Sequence, residues 1–308
     1  MSIEVNILGS SSATPIFDRH PTAQLVRVLH HTFLIDCGEG TQMQLNRYHH
    51  KPSKITHIFI SHLHGDHYLG LLGLLSTMNL QGRKHDLYLY GPPGLAEIIT
   101  VQLMYSESRF NYPVHLVELQ GDKPYILLEE DRFKVEAFPL QHRIPCYGFR
   151  FFLKKSNRKL NKSKLPENLT LLQLGSLKKG LDLIDDEGHV FFHNKDVTFD
   201  PLPEVSYAYC SDTIYTPLLS EWLRGTNLLY HESTFTNDFE ARAKETFHST
   251  AAQAAQIAKD MQVKKLILGH FSARYKDLTP LLEEARKVFP YSFLGIEGQT
   301  FTVNQGTN

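Results

Sequence analysis

Short apolar runs that end at glycine or at polar residues recur along the chain. They are rich in β-branched and aromatic residues and are bounded by turn-forming residues, which is the pattern of strands. The runs that predict strands are IEVNILG (3–9), TFLIDCG (32–38), ITHIFISH (55–62), DLYLYG (86–91), FKVEAFPLQH (133–142), YGFRFFLKK (147–155), VSYAYCSDT (205–213), NLLYHEST (227–234) and KKLILGH (264–270).

Helical periodicity occurs between several of these runs. After the third run, apolar residues recur at helical spacing at Leu69, Leu72, Leu75 and Met78. This spacing predicts a helix that begins near Asp66, and a second helix is predicted from Leu95 onward. Residues 248–261 (HSTAAQAAQIAKDM) predict a third helix, with Ser249 or Thr250 as its N-cap. Strands that alternate with helices indicate an α/β fold.

One segment breaks this alternation. Residues 154–164 (KKSNRKLNKSK) hold six basic residues, no acidic residue and little apolar surface. Because such a segment cannot supply core, it predicts a solvated loop or a projecting arm.

Composition and charge exclude several classes of protein. A chain of 308 residues can bury a large core, as one large domain or as two smaller ones. The net charge of −1 argues against a polybasic, histone-like protein, and no apolar run reaches the roughly 20 residues of a membrane-spanning helix. The first residues predict a strand rather than a secretion signal. The three cysteines, Cys37, Cys146 and Cys210, are widely spaced, so we expect no disulfide framework. A chain without disulfides is expected in the reducing cytoplasm.

The densest group of potential metal ligands is His62-x-His64-x-Asp66-His67, between a predicted strand and a predicted helix. In an extended segment, residues two apart face the same side, so His62 and His64 can bind one ion. The chain then turns, and Asp66 and His67 project toward a second point. Imidazole and carboxylate ligands together suit zinc or a similar first-row ion. A polar turn with helix-capping histidines is the alternative interpretation.

Three more potential ligands lie at the ends of predicted strands: His142, Asp212 and His270. Taken singly, each is more often a capping or solvated residue than a ligand. Together they supply one further ligand for each of two metal ions and an aspartate that can bridge both. Competing zinc signatures, H-E-x-x-H and H-x-E with P-C-x-x-C, do not occur in the sequence.

This set of residues resembles the ligand set of the metallo-β-lactamase superfamily. Further motifs are similar to those of its ribonuclease Z family of tRNA 3′-processing endonucleases, namely His231-Glu232-Ser233-Thr234, His248-Ser249-Thr250, GHFSARY around His270 and Tyr-Gly-Pro at 90–92. The resemblance covers nearly the whole chain. It implies a single domain over residues 1–308, built as a four-layer αβ/βα sandwich with the metals at one edge of the sheets. It also implies an inserted basic arm at 154–180.

The resemblance implies two zinc ions, although manganese and other divalent ions tolerate the same ligands. One ion would be held by His62, His64 and His142, the other by Asp66, His67 and His270, with Asp212 as the bridge. Asp66 would also accept or orient the proton of the attacking water. His248 would be the general acid that protonates the leaving 3′ oxygen, oriented and charged by Glu232, although a helix-capping role is the alternative. His231 is expected to be structural.

The implied activity is that of a zinc-dependent endoribonuclease that removes 3′ trailers from precursor tRNA. The tRNA would keep a 3′-hydroxyl and the trailer a 5′-phosphate. Members of the family are usually homodimers, in which the arm of one subunit reaches tRNA held at the other subunit's site. Lys178 and Lys179 of the arm are expected to contact RNA. Arg274 is expected to contact a phosphate or nucleotide, with a surface salt bridge as the alternative.

Two segments depart from the family pattern. In the arm pattern G-P-x-Y-x-x-L-K-x-G, Leu171-Leu172 replace Gly-Pro and Leu174 replaces the aromatic residue, whereas Leu177-Lys178-x-Gly180 is retained. In the P-x-K-x-R-N loop near the N-terminus, Phe17 and His20 replace lysine and asparagine. How precursors that already carry CCA are treated therefore does not follow from the resemblance. A hydrolase of a small phosphodiester or ester, and a binding protein without activity, are the alternative functions.

Overall fold

The first half of the chain forms nine strands and four α-helices within residues 1–16 and 18–306, the part that the computed structural model describes. The strands are β1 (Ser2–Gly9), β2 (Ala23–Val28), β3 (His31–Ile35), β4 (Ile55–Phe59), β5 (Leu87–Gly91), β6 (Val114–Glu118), β7 (Tyr125–Glu129), β8 (Phe133–Leu140) and β9 (Cys146–Leu153). The helices are α1 (Thr41–Arg47), α2 (Gly65–Tyr68), α3 (Leu71–Leu80) and α4 (Leu95–Tyr105). All six strands predicted in this half are confirmed. Phe17, one of the departures from the family pattern, lies outside the described residues.

Residues 154–204, which we call the insert, form short elements that belong to neither of the two large sheets of the fold. Their elements are β10 (Lys159–Leu160), α5 (Leu171–Lys179), β11 (Leu183–Ile184), β12 (Val190–Phe192), α6 (Asn194–Val197) and β13 (Thr198–Phe199). The insert has a small apolar core of its own around Leu177, Leu183 and Val197. Because Leu160 packs against this core, the basic segment is not a fully solvated loop, which was one of the two alternatives that its composition predicted.

The side-chain amide of Gln305 bridges the two ends of the insert, which we call its roots. Leu153 and Val205 pair at the ends of neighbouring strands, so the chain leaves and re-enters the sheet at adjacent positions. The Nε2 atom of Gln305, a residue that is 6% exposed, donates to the carbonyl oxygens of Lys154 at 2.8 Å and Pro203 at 2.9 Å. A longer contact joins it to the carbonyl oxygen of Leu153 at 3.4 Å.

The second half continues with strands and helices that face the first half. The strands are β14 (Val205–Cys210), β15 (Leu228–Glu232), β16 (Lys265–Gly269), β17 (Ser292–Leu294) and β18 (Thr300–Asn304). The helices are α7 (Leu218–Trp222), α8 (Glu240–Thr246), α9 (Ala251–Asp260) and α10 (Thr279–Val288). The predicted helix over 248–261 is confirmed as α9. Its N-cap is Thr250, whose side chain accepts a hydrogen bond from the Gln253 N–H in a capping box.

Outside the insert, the strands of the described residues form two seven-stranded sheets. The first has the order β18-β1-β2-β3-β4-β5-β6 and the second the order β17-β16-β15-β14-β9-β8-β7. One apolar cluster, which includes Phe33, Phe59, Phe149 and Tyr207, fills the space between the sheets. Two further clusters join the outer face of each sheet to its helices. The result is the predicted four-layer αβ/βα sandwich. No helix among the described residues is long and apolar enough to cross a membrane.

The helix predicted to begin near Asp66 is interrupted. A single turn, α2, is followed by a break at Leu69 and Gly70, after which α3 begins. The break occurs where Gly70 approaches the loop after β3: its N–H donates to the Cys37 carbonyl oxygen at 2.9 Å, and a Cβ on Gly70 would lie 2.2 Å from the Gly38 carbonyl oxygen. Leu69 therefore leaves the apolar face of the helix and is 61% exposed.

Candidate metal centre

The carboxyl ends of strands from both sheets meet at one edge of the sandwich. Strands β3, β4 and β5 are parallel in the first sheet, and β14, β15 and β16 are parallel in the second. The loops after β4, β8, β14 and β16 carry the predicted ligands. The structure brings all seven side chains together as two groups that share an aspartate: His62, His64, His142 and Asp212, and Asp66, His67, His270 and Asp212.

The first group, which we call site A, contains three imidazoles. The Nδ1 atom of His64 lies 3.1 Å from Nε2 of His62 and 3.1 Å from Nε2 of His142. Oδ2 of Asp212 completes the group at 3.5 Å from Nε2 of His62. Zinc–nitrogen bonds of about 2.0–2.1 Å place the ligands of a tetrahedral site about 3.4 Å apart. The donor atoms of site A therefore have the spacing of a metal coordination shell.

The second group, site B, contains two imidazoles and a carboxylate. The Nε2 atoms of His67 and His270 are 3.3 Å apart, and Oδ2 of Asp66 lies 3.4 Å from the first and 3.3 Å from the second. Oδ1 of Asp212 lies 3.4 Å from Nε2 of His67 and 3.1 Å from Nε2 of His270. These separations match those of site A, and the donors are again nitrogen and oxygen.

Asp212 faces both sites, with Oδ2 toward site A and Oδ1 toward site B. Its side chain is 3% exposed, and Oδ1 has no hydrogen-bond partner among the described residues. A buried carboxylate oxygen without a donor is costly unless a cation is beside it. The orphaned oxygen, set among imidazole nitrogens, therefore fits a divalent metal, and the chain has a divalent-metal site at this edge.

At site B, the attraction between carboxylates and imidazoles outweighs the effect of burial. Burial disfavours a charge on His67, yet Asp212, followed by Asp66 and Asp36, outweighs this and raises the pKa of His67 well above its ordinary value. Burial also opposes ionisation of Asp66, but His67 and His270 lower its pKa. The same field that stabilises a proton at this position stabilises a metal cation.

Asp36, which sequence analysis did not single out, orients the ligand His67. It is fully buried after β3, and its Oδ2 lies 2.8 Å from Nδ1 of His67, so that Nε2 is directed into site B. Asp36 also accepts hydrogen bonds from the hydroxyl of Tyr209 at 2.6 Å and from Ser61, whose N–H donates at 2.7 Å and whose hydroxyl donates at 2.9 Å. The only sequence signal was an aspartate directly after an apolar strand.

Three further predicted ligands have partners at their second ring nitrogen, and the first is His62, whose Nδ1 lies 3.0 Å from the hydroxyl of Ser61. Nδ1 of His270 lies 2.9 Å from the hydroxyl of Thr234, and Nδ1 of His142 donates to the Phe247 carbonyl oxygen at 3.0 Å. Phe247 has a φ of 59°, so its backbone is held in the left-handed region at this contact. Such partners fix the tautomer and direction of a metal-binding imidazole.

Glu232 and His248 form a pair beside the ligands. Glu232 is fully buried at the end of β15, and Nδ1 of His248 lies 2.9 Å from its Oε1 but 4.0 Å from the Asp212 carboxylate. Burial opposes a charge on His248, but Glu232 and then Asp212 outweigh it and raise the pKa of His248 to about 9. Glu232 also accepts hydrogen bonds from the backbone N–H groups of Thr213, Thr234 and Ser249. Since Thr250 is the N-cap of α9, the helix-capping interpretation of His248 is wrong.

A cleft of about 500 Å³ opens over the two sites, and Arg274 lies on its wall. The guanidinium carbon of Arg274 is 4.3 Å from the ring centre of Phe239 and 5.1 Å from that of Phe235. Its Nε atom donates to the Ser272 hydroxyl at 3.2 Å. Within the described part of the chain it forms no ion pair, so the salt-bridge alternative is wrong. Two more exposed arginines that sequence analysis missed line the cleft, Arg143 and Arg242.

Lys178 and Lys179, the other predicted RNA contacts, do not lie at the cleft. Both are exposed in the last turn of α5, within the insert.

His231 is fully buried in β15, and its Nδ1 lies 2.7 Å from the Glu232 carbonyl oxygen.

Comparison with known proteins identifies the family. A family model described as a beta-lactamase superfamily domain matches residues 31–160 and 197–271. Ribonuclease Z of Cytophaga hutchinsonii is 49% identical over 304 residues, which is 99% of this chain and 97% of that protein. The chain belongs to the ribonuclease Z family. Ribonuclease Z of Bacteroides thetaiotaomicron is 44% identical over 99% of this chain and 96% of its own length.

A solved structure of the same family extends the similarity to the fold. The short form of human tRNase Z is 26% identical and superposes with a TM-score of 0.69, over 97% of this chain and 98% of its own. The superfamily model, by contrast, leaves residues 161–196 unmatched. This gap lies inside the insert, so the insert interrupts the part of the chain that the superfamily model describes.

Proposed function

We propose that this chain is a metal-dependent endoribonuclease that removes 3′ trailers from precursor tRNA. The products would be a tRNA with a 3′-hydroxyl and a trailer with a 5′-phosphate. The observation that carries the proposal is geometric: two groups of potential metal ligands that share Asp212 lie at the same cleft as the pair of His248 and Glu232. Membership of the ribonuclease Z family supplies the substrate class.

We infer that two zinc ions bind per chain. His62, His64 and His142 would hold one ion, Asp66, His67 and His270 the other, and Asp212 both. When bound, such a pair of cations lowers the pKa of a water molecule and neutralises charge on a phosphoryl oxygen. Nitrogen-rich ligands favour zinc, although manganese tolerates the same set.

Asp66 and His248 would move the protons of the reaction. Asp66 lines the cleft and would accept or orient the proton of the attacking water. His248 would donate a proton to the departing 3′ oxygen of the tRNA. Divalent cations nearby repel the positive charge of an imidazolium, so His248 needs the carboxylate of Glu232, at 2.9 Å, to stay protonated. Arg274, held against two aromatic rings, would bind a phosphate on the wall of the cleft.

The insert would bind tRNA away from the cut. In its basic segment, residues 154–164, four lysines are exposed and form no ion pair among the described residues, namely Lys155, Lys159, Lys162 and Lys164. Lys178 and Lys179 add two more basic groups. Lysines without acidic partners bind phosphate by releasing counterions. We therefore regard residues 154–180 as a candidate tRNA-binding arm within a single domain of residues 1–308.

The position of the arm favours a homodimer. The insert that contains it has its roots at Leu153 and Val205. These roots lie at the end of β14 opposite to Asp212, so a strand of six residues, about 20 Å long, separates them from the metal centre. An arm that begins at the far end is better placed to hold RNA for the cleft of a second subunit. We place the enzyme in the cytoplasm, where precursor tRNA occurs and where its three free cysteines stay reduced.

Cleavage of a 3′-extended precursor tRNA by the purified protein tests this proposal. With zinc or manganese added, we expect one cut between the 3′ strand of the acceptor stem and the trailer. Analysis of the ends should find a 3′-hydroxyl on the tRNA. Absence of cleavage, under conditions in which a ribonuclease Z relative cuts, would contradict it. Faster turnover of a small aryl phosphodiester, unaffected by deletion of residues 154–180, would instead support the alternative hydrolase. Precursors with and without CCA then define the specificity.

A further inference from the structure

The loop of residues 10–22, excluding Phe17, forms one wall of the metal cleft. It contributes Ser12, Ala13, Pro15 and Pro21 to the lining. The base of the loop is tied to the segment after the ligand His270, since the Ser12 N–H donates to the Phe271 carbonyl oxygen at 3.0 Å. Residues 13–15 are exposed at the tip. A tip with so little packing keeps its position only through anchors elsewhere in the loop.

Glu297 supplies such an anchor from the other end of the chain. Its carboxylate accepts hydrogen bonds from the N–H of His20 and from the His20 ring, where Nδ1 lies 3.0 Å from Oε2. Gln44 also donates to Oε2, at 2.6 Å. The side chain of Glu297 is 6% exposed, so water competes little for these bonds.

The anchor is itself fixed to the first sheet. The N–H of Gly298 donates to the Ile7 carbonyl oxygen at 2.8 Å, and the N–H of Ile7 donates to the Gln299 carbonyl oxygen at 3.1 Å. Gly298 has a φ of 83°, which suits glycine in this tight turn. Glu297 thus joins a rigid strand to the loop, yet it is not among the residues that line the cleft.

We propose that Glu297 is a positioning residue that holds His20 and thereby sets the width of the cleft beside the metal sites. The cleft wall that it fixes would contact RNA bound over the metal sites. This inference rests on the proposed endoribonuclease function, because it concerns RNA bound at the same cleft. Glu297 would govern substrate binding rather than chemistry, since it touches neither the ligands nor His248.

Glu297→Ala and Glu297→Gln test the inference in the full-length, metal-loaded protein. The alanine variant should raise KM for a 3′-extended precursor tRNA roughly tenfold, because a loosened wall must be ordered again on binding. Its kcat and its turnover of a small aryl phosphodiester should stay within about twofold. The glutamine variant keeps one acceptor for the His20 N–H, so its KM should lie between those of the wild type and the alanine variant. Glu283→Gln, an exposed position on α10, is the matched control.

Hydrogen exchange separates this inference from the proposed function. In Glu297→Ala, amides of residues 11–20 should exchange faster, whereas those of β14 and β15 should not change. Unchanged exchange in the loop overturns the inference, whatever the protein does to RNA. Faster exchange with an unchanged KM for precursor tRNA also overturns it, because the wall would then be irrelevant to binding. A wild-type protein that cuts the small diester but no precursor tRNA contradicts the proposed function and, with it, the role of this wall in binding RNA.

Discussion

The Nδ1 atom of His248 lies 2.9 Å from Oε1 of Glu232, and this contact occupies one nitrogen of the ring. Among the described residues, the side-chain hydrogen bonds of His248 involve only Nδ1. The other ring nitrogen is therefore available to donate a proton in the cleft. Neither residue is needed to complete site A or site B.

Replacing His248 by alanine should remove the general acid without removing metal. We expect turnover of precursor tRNA to fall roughly 10²–10⁴-fold, the usual contribution of proton transfer by a positioned side chain. The loss should be much smaller for an aryl phosphodiester, whose acidic leaving group needs no proton. Metal content measured by elemental analysis should match the wild type. If the variant loses metal, His248 is a ligand and the general-acid assignment is wrong.

Replacing Glu232 by glutamine should reduce both activity and stability. The amide NH₂ group of the glutamine would face backbone N–H groups that now donate to the buried carboxylate of Glu232. Leaving such buried donors without an acceptor costs about 1–3 kcal/mol of stability. The free energy of unfolding from denaturant titration should fall by this amount, and turnover of precursor tRNA should fall with it because His248 loses its charged partner. Glu283→Gln should change neither quantity.

Replacing Asp212 by alanine should disrupt both metal sites at once. Its two oxygens face different groups of imidazoles, so we expect a lower ratio of metal to protein and no measurable turnover. Chelation of the wild type should lower its melting temperature, because metal binds the folded state and not the unfolded one. A variant that keeps its full metal content would show that Asp212 is not the bridge.

Replacing Asp36 by asparagine tests a residue that touches a ligand but no metal site. The amide can no longer accept strongly from His67, so metal affinity should fall about 10–100-fold. Competition with a chromophoric chelator measures this change. Tyr209→Phe, which removes one donor to Asp36 and leaves the carboxylate, should have a smaller effect. Equal affinities in both variants and the wild type would contradict the orienting role.

Replacing the exposed lysines of the arm by glutamate should weaken RNA binding without affecting chemistry. In a variant of Lys155, Lys159, Lys162 and Lys164, KM for precursor tRNA should rise and its salt dependence should become shallower. Turnover of a small phosphodiester should be unchanged. Lys259→Glu with Lys287→Glu provides a control of exposed lysines on α9 and α10. An effect of equal size in the control would indicate nonspecific attraction.

The grouping of the seven predicted ligands could be foreseen from the sequence because they follow four apolar strands, β4, β8, β14 and β16. Residue type, strand position and the family resemblance together were sufficient, even for His142, whose strand β8 is antiparallel to its neighbours. Asp36 has the same kind of position but no neighbouring histidine in sequence, and its role depends on a contact with His67 across the fold. Leu69 was misassigned since helical spacing does not reveal the contact of Gly70 with Gly38. The bond between His20 and Glu297 spans 277 positions and has no local signal.

The amide of Gln305 closes the base of the insert. One side chain bonds the carbonyl groups of both Lys154 and Pro203, and the Ser156 N–H adds a bond to the Leu202 carbonyl oxygen at 3.0 Å. The two crossings of the chain are therefore tied to each other at the base. Because this base lies where β9 ends and β14 begins, a displacement of the base would act on β14, which leads directly to Asp212.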